Sequence, residues 1–285
     1  MQPRSRFALG GRLPSRSMFE SLTSSRRARY SLALMADVRD RLRGRRDPLS
    51  PPRRLAVFIG AGDFRQMGKD FSRFFIELGG LKPEDDVLDI GSGIGRMAVP
   101  LVDYLTGRYE GFDIVPAGVA WCQEHISSRY PNFRFELADI ENGLYRRNGR
   151  YKACEYRFPY DDASFDFTFA TSVFTHLIPE DAANYINESG RVLREGKTFF
   201  GTFFLLDDHP AGDEATLDFR VAGDGFRTTN AATPEAAVAF TREDVEKMLA
   251  SAGMTLVSVF PGYWSGREDG LSYQDIVVAK KLAPQ

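Results

Sequence analysis

One nine-residue run constrains the chain more than any other: Val87-Leu-Asp-Ile-Gly91-Ser-Gly93-Ile-Gly95. A short apolar stretch ends in three glycines at alternate positions, and a helical stretch follows to about Leu105. This reads as a buried strand, a tight turn and a helix. Residues without side chains let the backbone approach a ligand, and the helix N-terminus offers unpaired N–H groups to a negative group. Asp89 sits just before the turn, where a carboxylate can accept a hydrogen bond from a ligand ammonium. The next apolar run ends at Asp113, 18 residues after Gly95. An acid there is placed to hold the two hydroxyls of a ribose.

What is missing narrows the ligand. A dinucleotide fold needs a third glycine where this chain has Arg96, and a phosphate-binding loop ends in Gly-Lys-Ser/Thr, which does not occur here. The order Asp-x-Gly-x-Gly-x-Gly suits S-adenosyl-L-methionine instead, whose amino-acid end carries both an ammonium and a carboxylate.

Around the turn, short apolar runs alternate with helical periodicity. Residues 64–78 are periodic as a helix and stop at Gly79-Gly80. Further strands are expected at 109–114, 133–137, 165–170 and 198–206, and further helices at 118–129, 182–193 and 241–252. Residues 254–260 and 272–279 end the chain as two strands with little between them, so one should run antiparallel. The pattern predicts an α/β fold. Its centre is a Rossmann-like, seven-stranded, mostly parallel sheet with one antiparallel strand and helices on both faces.

Charge divides the chain in two. Residues 1–54 hold 14 arginines, no lysine and four acids, a balance of +10; the rest, with 23 bases and 35 acids, stands at −12. A basic arm on an acidic body follows. We expect residues 1–50 to be an N-terminal extension and 51–285 one domain. Within the arm, Tyr30, Leu34, Met35, Val38 and Leu42 fall on one helical face. A basic amphipathic helix suits an anionic membrane surface; a nucleic-acid contact, an organelle transit peptide and a plain solvated extension are the other readings. No run of about 18 apolar residues marks a transmembrane segment. Two cysteines and three histidines, far apart, form no metal-ligand cluster, and such sparse cysteine suits a reducing, cytoplasmic compartment.

These residues resemble the class I S-adenosylmethionine-dependent methyltransferases over roughly residues 60–280. Most nearly, they look like the bacterial small-molecule type of the broad ubiquinone-biosynthesis and trans-aconitate group. Residues 87–95 match the family's first motif, which implies a cofactor site at Asp89, Gly91, Ser92, Gly93, Gly95 and Arg96. Phe112-Asp113-Ile114 matches the second motif, whose acid binds the ribose. Leu137-Ala-Asp139-Ile140 matches the third, whose acid meets the adenine amine while an apolar neighbour covers the ring. Residues 158–167 match the approach to the fourth strand, whose end, with Thr171 and Phe174, lies under the methionine part in the family. Phe64 and Gly68, on the preceding helix, either close over the cofactor or pack the core. Two departures stand out. Arg194-Glu-Gly-Lys197 replaces the family's Lys-Pro-Gly-Gly. Pro100 falls inside the helix after the turn, where its missing N–H should leave the Arg96 carbonyl without an intrahelical partner.

The acceptor side is written less clearly. His176 follows the fourth strand, where relatives often place a histidine near the transferred methyl; it is the catalytic candidate, able to take a proton from an attacking hydroxyl. Its other reading is a buried histidine bonded to a carbonyl. The insertion 141–160, with Tyr156 and Arg157, is open to an anionic small substrate, a nucleic acid or plain surface. Residues 207–240 are expected to form a lid, and Trp264 and Arg267 either join its pocket or pack the core. No Asn/Asp-Pro-Pro follows the fourth strand and no cysteine lies at its end, which argues against amide, adenine or pyrimidine-C5 methylation. The acidic body disfavours nucleic acid. The expected function is methyl transfer to a small-molecule, lipid or glycan acceptor, by O-methylation. The alternative is a non-catalytic S-adenosylmethionine-binding or interaction protein that uses its basic arm.

Overall fold

Seven strands hydrogen-bond into one sheet in the order β3-β2-β1-β4-β5-β10-β9. They are β1 (Val87–Ile90), β2 (Tyr109–Asp113), β3 (Phe133–Leu137), β4 (Phe165–Ala170), β5 (Leu193–Phe203), β9 (Met254–Phe260) and β10 (Asp275–Lys281). Only β10 runs against its neighbours. The short strands β6 (Val221–Ala222), β7 (Arg227–Thr228) and β8 (Val238–Ala239) form a separate three-stranded sheet. This computed structural model describes Tyr30 and residues 33–39, 47–56, 63–143, 146, 148–206 and 215–283.

Four helices cover the sheet: α1 (Phe64–Glu77), α2 (Pro116–Cys122), α3 (Pro179–Val192) and α4 (Arg242–Ser251). Local chemistry starts two of them. The Asp63 side chain accepts from the Gln66 N–H at 2.7 Å, and Thr241 accepts from the Asp244 N–H at 3.1 Å, each satisfying an N–H that has no helical partner. Strand residues alternate between two cores. Leu88 and Ile90 join α3 and α4 on one face, while Val87, Phe167 and Phe169 join α1 and α2 on the other. Both faces of the central strands are buried, so β1 and β4 read as nearly continuous apolar runs, while β3 at the sheet edge alternates. Phe75 of α1 anchors the second core, its ring centroid 4.4 Å from Phe169 and 5.0 Å from Phe200.

Three local expectations are revised. The stretch after the glycine turn contains only turns and the 3₁₀ segment Val99–Leu101 where a helix was expected. Pro100 cannot donate to the Arg96 carbonyl, and α1 packs onto that carbonyl: a Cβ on Gly68 would lie 2.5 Å from it. Gly68 is thus a close-approach point between segments. The fifth strand begins five residues early, at Leu193. Its departing segment earns that pairing with charge: Arg194 binds Asp166 at 2.5 Å and Asp86 at 3.1 Å, and Lys197 binds Asp166 at 2.9 Å. The second helix is shorter than expected and passes into a π-helical turn, Gln123–Ser127.

Residues 33–39 of the arm are helical. Their polar side faces the body. Asp37 is buried and accepts from the Arg53 N–H at 2.7 Å and from Arg54 Nη1 at 3.2 Å, which caps the helical turn Arg53–Ala56. The large apolar residues of the predicted face lie outward: Tyr30, Leu34, Met35 and Val38 are 39–61% exposed. Leu42 lies outside the described residues, as do Tyr145 and Arg147 of the first insertion and residues 207–214 of the second.

Gly68→Ala should lower the melting temperature measurably, because the added methyl meets a backbone carbonyl and not a flexible side chain; overpacking of this kind costs about 1–3 kcal/mol. Thermal unfolding followed by circular dichroism measures it, and an unchanged midpoint would show that α1 can step away.

Candidate cofactor site

The glycine turn sits at the carboxyl ends of β1 and β2, beside the point where the order leaves β1 for β4. Gly91, Gly93 and Gly95 have φ of 78°, 56° and 71°, the left-handed region where a side chain is strained. Space also demands glycine: a Cβ on Gly91 would lie 2.5 Å from Val173 Cγ2, and one on Gly95 would lie 2.6 Å from Ile126 Cδ1. The turn is tied to the end of β2. The Gly91 and Ser92 N–H groups donate to the Phe112 carbonyl, and the Gly93 N–H donates to Asp113 Oδ2 at 2.7 Å.

Two carboxyls frame this turn. Asp113 Oδ1 accepts from the Val115 N–H at 2.8 Å. Each Asp113 oxygen thus takes a backbone donor, and the Ile114 backbone N–H also acts on this carboxyl. Burial raises the Asp113 pKa, against the backbone hydrogen bonds that lower it. Asp89 is buried, 1% exposed. Its Oδ2 accepts from the Tyr109 hydroxyl at 2.5 Å, while Oδ1 is buried with no partner, as is the neighbouring Ser92 Oγ. Burial pushes the Asp89 carboxyl up to about 8; the Tyr109 hydrogen bond opposes this and Asp113 adds to it. Among the described residues, no cation is one of the groups that act on either acid. A buried polar atom without a partner is costly. Two acids and two partnerless oxygens at a glycine cradle fit a ligand that brings a positive charge and hydroxyls, as S-adenosylmethionine does.

The remaining predicted residues are distributed around this centre. Asp139, 44% exposed, binds Arg146 Nη2 at 2.6 Å, and Ile140 is buried in the core. Ile114 is half-buried against that core. The Arg96 guanidinium lies toward α1, with Nη1 2.6 Å from Met67 Sδ and its Nε without a partner. Phe64 packs beside it, and the two residues help line a small cavity of about 40 Å³. Thr171 is half-buried at the end of β4. Phe174 is fully buried and stacked on Phe203, centroids 4.5 Å apart. Its ring belongs to the core.

His176 Nδ1 lies 2.8 Å from the Glu235 carbonyl. A carbonyl only accepts, so Nδ1 carries the hydrogen and Nε2 is the basic nitrogen. Burial lowers the His176 pKa against that bond. Glu235 belongs to the second insertion, so this segment sets the ring's orientation. Tyr156 packs on the core near Phe112, and Arg157 is exposed, 3.5 Å from Asp162. Trp264 is 3% exposed and donates from Nε1 to Asp275 Oδ2 at 2.7 Å. Together with Arg267, which pairs with Asp269 at 3.0 Å, it borders a cavity of about 450 Å³ that Leu205, Phe219 and Arg227 also line.

Sequence reasoning gave no role to Tyr109 or Gln274, and it named Ser172 only within the strand end that the family resemblance places under the methionine part. Ser172 has φ of 57°, rare for a residue with a side chain. It is held by the Thr202 hydroxyl, which accepts from its N–H at 2.8 Å, and by Gln274 Oε1, which accepts from its Oγ at 3.1 Å. These partners are 30 and 102 residues away, and no local pattern joins them.

The raised Asp89 pKa has a stability consequence. Between about pH 4 and 8 the folded chain keeps a proton that the unfolded chain releases, so stability falls as pH rises, by at most ~1.4 kcal/mol per unit. Asp89→Asn removes this term. Scanning calorimetry of the ligand-free protein should then give a flatter melting-temperature profile from pH 6 to 8 and a higher midpoint at pH 8; a wild-type slope in the variant would contradict the burial argument.

Comparison with known proteins agrees with the geometry. Residues 87–196, from β1 into β5, match the family model described as a methyltransferase domain. An uncharacterized protein of Haemophilus influenzae is 26% identical over 136 residues; the match covers 48% of this chain and 49% of that protein, so the shared part is about half the relative's length. Among solved structures, a Pyrococcus horikoshii protein superposes with a TM-score of 0.54 at 18% identity, covering 78% of this chain and 93% of its own. The CcbJ methyltransferase of Streptomyces caelestis gives 0.53 at 16% identity, over 80% and 96%. The 1,6-didemethyltoxoflavin-N1-methyltransferase of Burkholderia thailandensis, solved with S-adenosylhomocysteine, gives 0.50 at 18% identity, over 89% of both chains. At such identities the structural likeness is one of fold. The family model goes further than fold for one part of the chain: residues 87–196 match a methyltransferase domain, and the chemistry of the glycine turn within it fits S-adenosyl-L-methionine as the cofactor.

Proposed function

We propose that this protein transfers a methyl group to a small-molecule, lipid or glycan acceptor, by O-methylation. The observation that supports it best is the pair of buried acids, Asp89 and Asp113, at the left-handed glycine turn, with no cation among the described residues acting on them. Asp89 and Ser92 meet the amino-acid end, Asp113 the ribose, and Asp139 with Ile114 the adenine, while Ile140 backs them from the core. The cofactor supplies a methyl on a positively charged sulfur. The chain's own work is to orient the acceptor and hold its proton; positioning alone can contribute roughly 7–11 kcal/mol.

His176 is the general base in this reading. Its Nε2 is basic, and its lowered pKa keeps it neutral near pH 7, ready to take a hydroxyl proton. The acceptor lies beyond the β4 end, toward Ser172 and the cavity near Trp264. In this reading the second insertion is a lid, and residues 1–50 are a separate arm. S-adenosylhomocysteine production should appear with at least one member of a panel of hydroxylated acceptors. With that acceptor, His176→Ala should lower turnover about 10²–10⁴-fold while S-adenosylhomocysteine affinity holds. Asp113→Ala should weaken that affinity by about 1–3 kcal/mol. Turnover undiminished in His176→Ala would remove the base, and affinity undiminished in Asp113→Ala would remove the ribose contact.

One observation favours a membrane setting. The arm helix docks through Asp37 and turns Tyr30, Leu34, Met35 and Val38 outward, in a segment with a balance of +10. Apolar side chains beside arginines suit an anionic lipid surface, where each cation contributes about 1 kcal/mol. No helix among the described residues is long and apolar enough to cross a membrane. The full chain should co-sediment with vesicles containing phosphatidylglycerol and not with pure phosphatidylcholine, and Met35→Glu should reduce the bound fraction severalfold. Equal binding to both vesicles, or none, would count against this setting and leave a plain arm.

A further inference from the structure

Tyr109 stands at the start of β2, opposite Val87, four residues from the strand's ligand end. Its ring is fully buried, stacked on Phe133 with centroids 4.7 Å apart. Opposite Asp89 in the register is Gly111, which has no side chain. The long Tyr109 ring lies on the same face of β2 as Gly111, and its hydroxyl reaches the Asp89 carboxyl at 2.5 Å. One Asp89 oxygen is fixed by this bond; the other is buried without a partner, two residues before the glycine turn.

We propose that Tyr109 is a positioning residue for the cofactor, holding the Asp89 carboxyl so that the ligand's ammonium is taken up in exchange for the Asp89 proton. This rests on the cofactor reading above and adds its regulation by pH. The step balances simply. The Asp89 carboxyl gives its proton to solvent, and the carboxylate formed pairs with an ammonium that stays charged. The titratable groups that act on Asp89 are Tyr109 and Asp113 of β2, and Cys122 of α2 also couples to it. Burial raises the pKa of both Tyr109 and Cys122, so both are neutral near pH 7. None of these groups is a cation, and the ligand is therefore the group that makes the ionised form of Asp89 favourable. Burial pushes that carboxyl to about 8, and the Tyr109 bond opposes the shift.

The test is titration calorimetry of the full chain with S-adenosylhomocysteine from pH 6 to 8, in buffers of different ionisation enthalpy. Affinity should rise with pH by up to about tenfold per unit, with up to about one proton released per ligand at the acid end. The control is 5′-methylthioadenosine, which lacks the amino-acid end. Its affinity should stay flat, with no proton released. Tyr109→Phe keeps the ring and removes the hydroxyl; the rise for S-adenosylhomocysteine should persist to higher pH, while 5′-methylthioadenosine affinity stays unchanged. Asp89→Asn should abolish both the rise and the proton release. Binding of both ligands with no proton release, or a Tyr109→Phe profile that does not move, overturns the inference and leaves the cofactor reading standing. Failure of both ligands to bind the wild-type chain removes the cofactor reading and the inference with it.

Discussion

Burying a carboxyl at the mouth of a parallel sheet is the constraint on which the rest of this site depends. Asp89 is almost fully enclosed, and among the described residues the Tyr109 hydroxyl is the side chain that hydrogen-bonds to it. A charged group cannot rest comfortably in such a place without a partner, and no cation among the described residues acts on it. The cost is tolerable in the free protein because the carboxyl can hold a proton. It becomes useful when a ligand brings positive charge. The same enclosure that disfavours an unpaired charge there therefore selects a ligand that brings the opposite one.

The glycine turn serves this arrangement mechanically. Three left-handed residues in five let the chain double back under the end of β2, where the Gly93 N–H meets Asp113. Gly118 lets α2 approach the same turn, since a Cβ there would be 2.4 Å from the Gly93 carbonyl. The acid that faces the ribose in our reading is thus also the acid that shapes the turn. Aromatic packing holds the frame still: Phe75, Phe167, Phe169 and Phe200 form one cluster across α1, β4 and β5. Such close-packed rings give a rigid base to a site whose polar groups must keep their geometry.

Much of the fold was legible because its signals are local. Strand runs such as 87–90 and 165–170, the helix at 64–77 and the cap at Thr241 are set by neighbours within a few residues. The helix expected after the turn was misjudged for a non-local reason: Pro100 weakens it, but α1 pressing Gly68 onto the Arg96 carbonyl completes the change. The early start of β5 depends likewise on Asp86 and Asp166, which lie on other strands' entrances. Which side the arm helix turned to the body was decided by one buried aspartate.

By itself the sequence determined a parallel α/β sheet, a glycine turn that admits an adenosyl ligand, and acids at two strand ends. Backbone conformation and apolar periodicity are short-range properties, so a single chain of letters carries them. Tertiary structure decided which side chains share a space. It placed Tyr109 against Asp89, Ser172 against Gln274, and Trp264 against Asp275, and it drew Phe174 into the core. Those pairings arise from strand order and register, which join Ser172 to Gln274 across 102 positions, and no spacing within the sequence encodes such a distance.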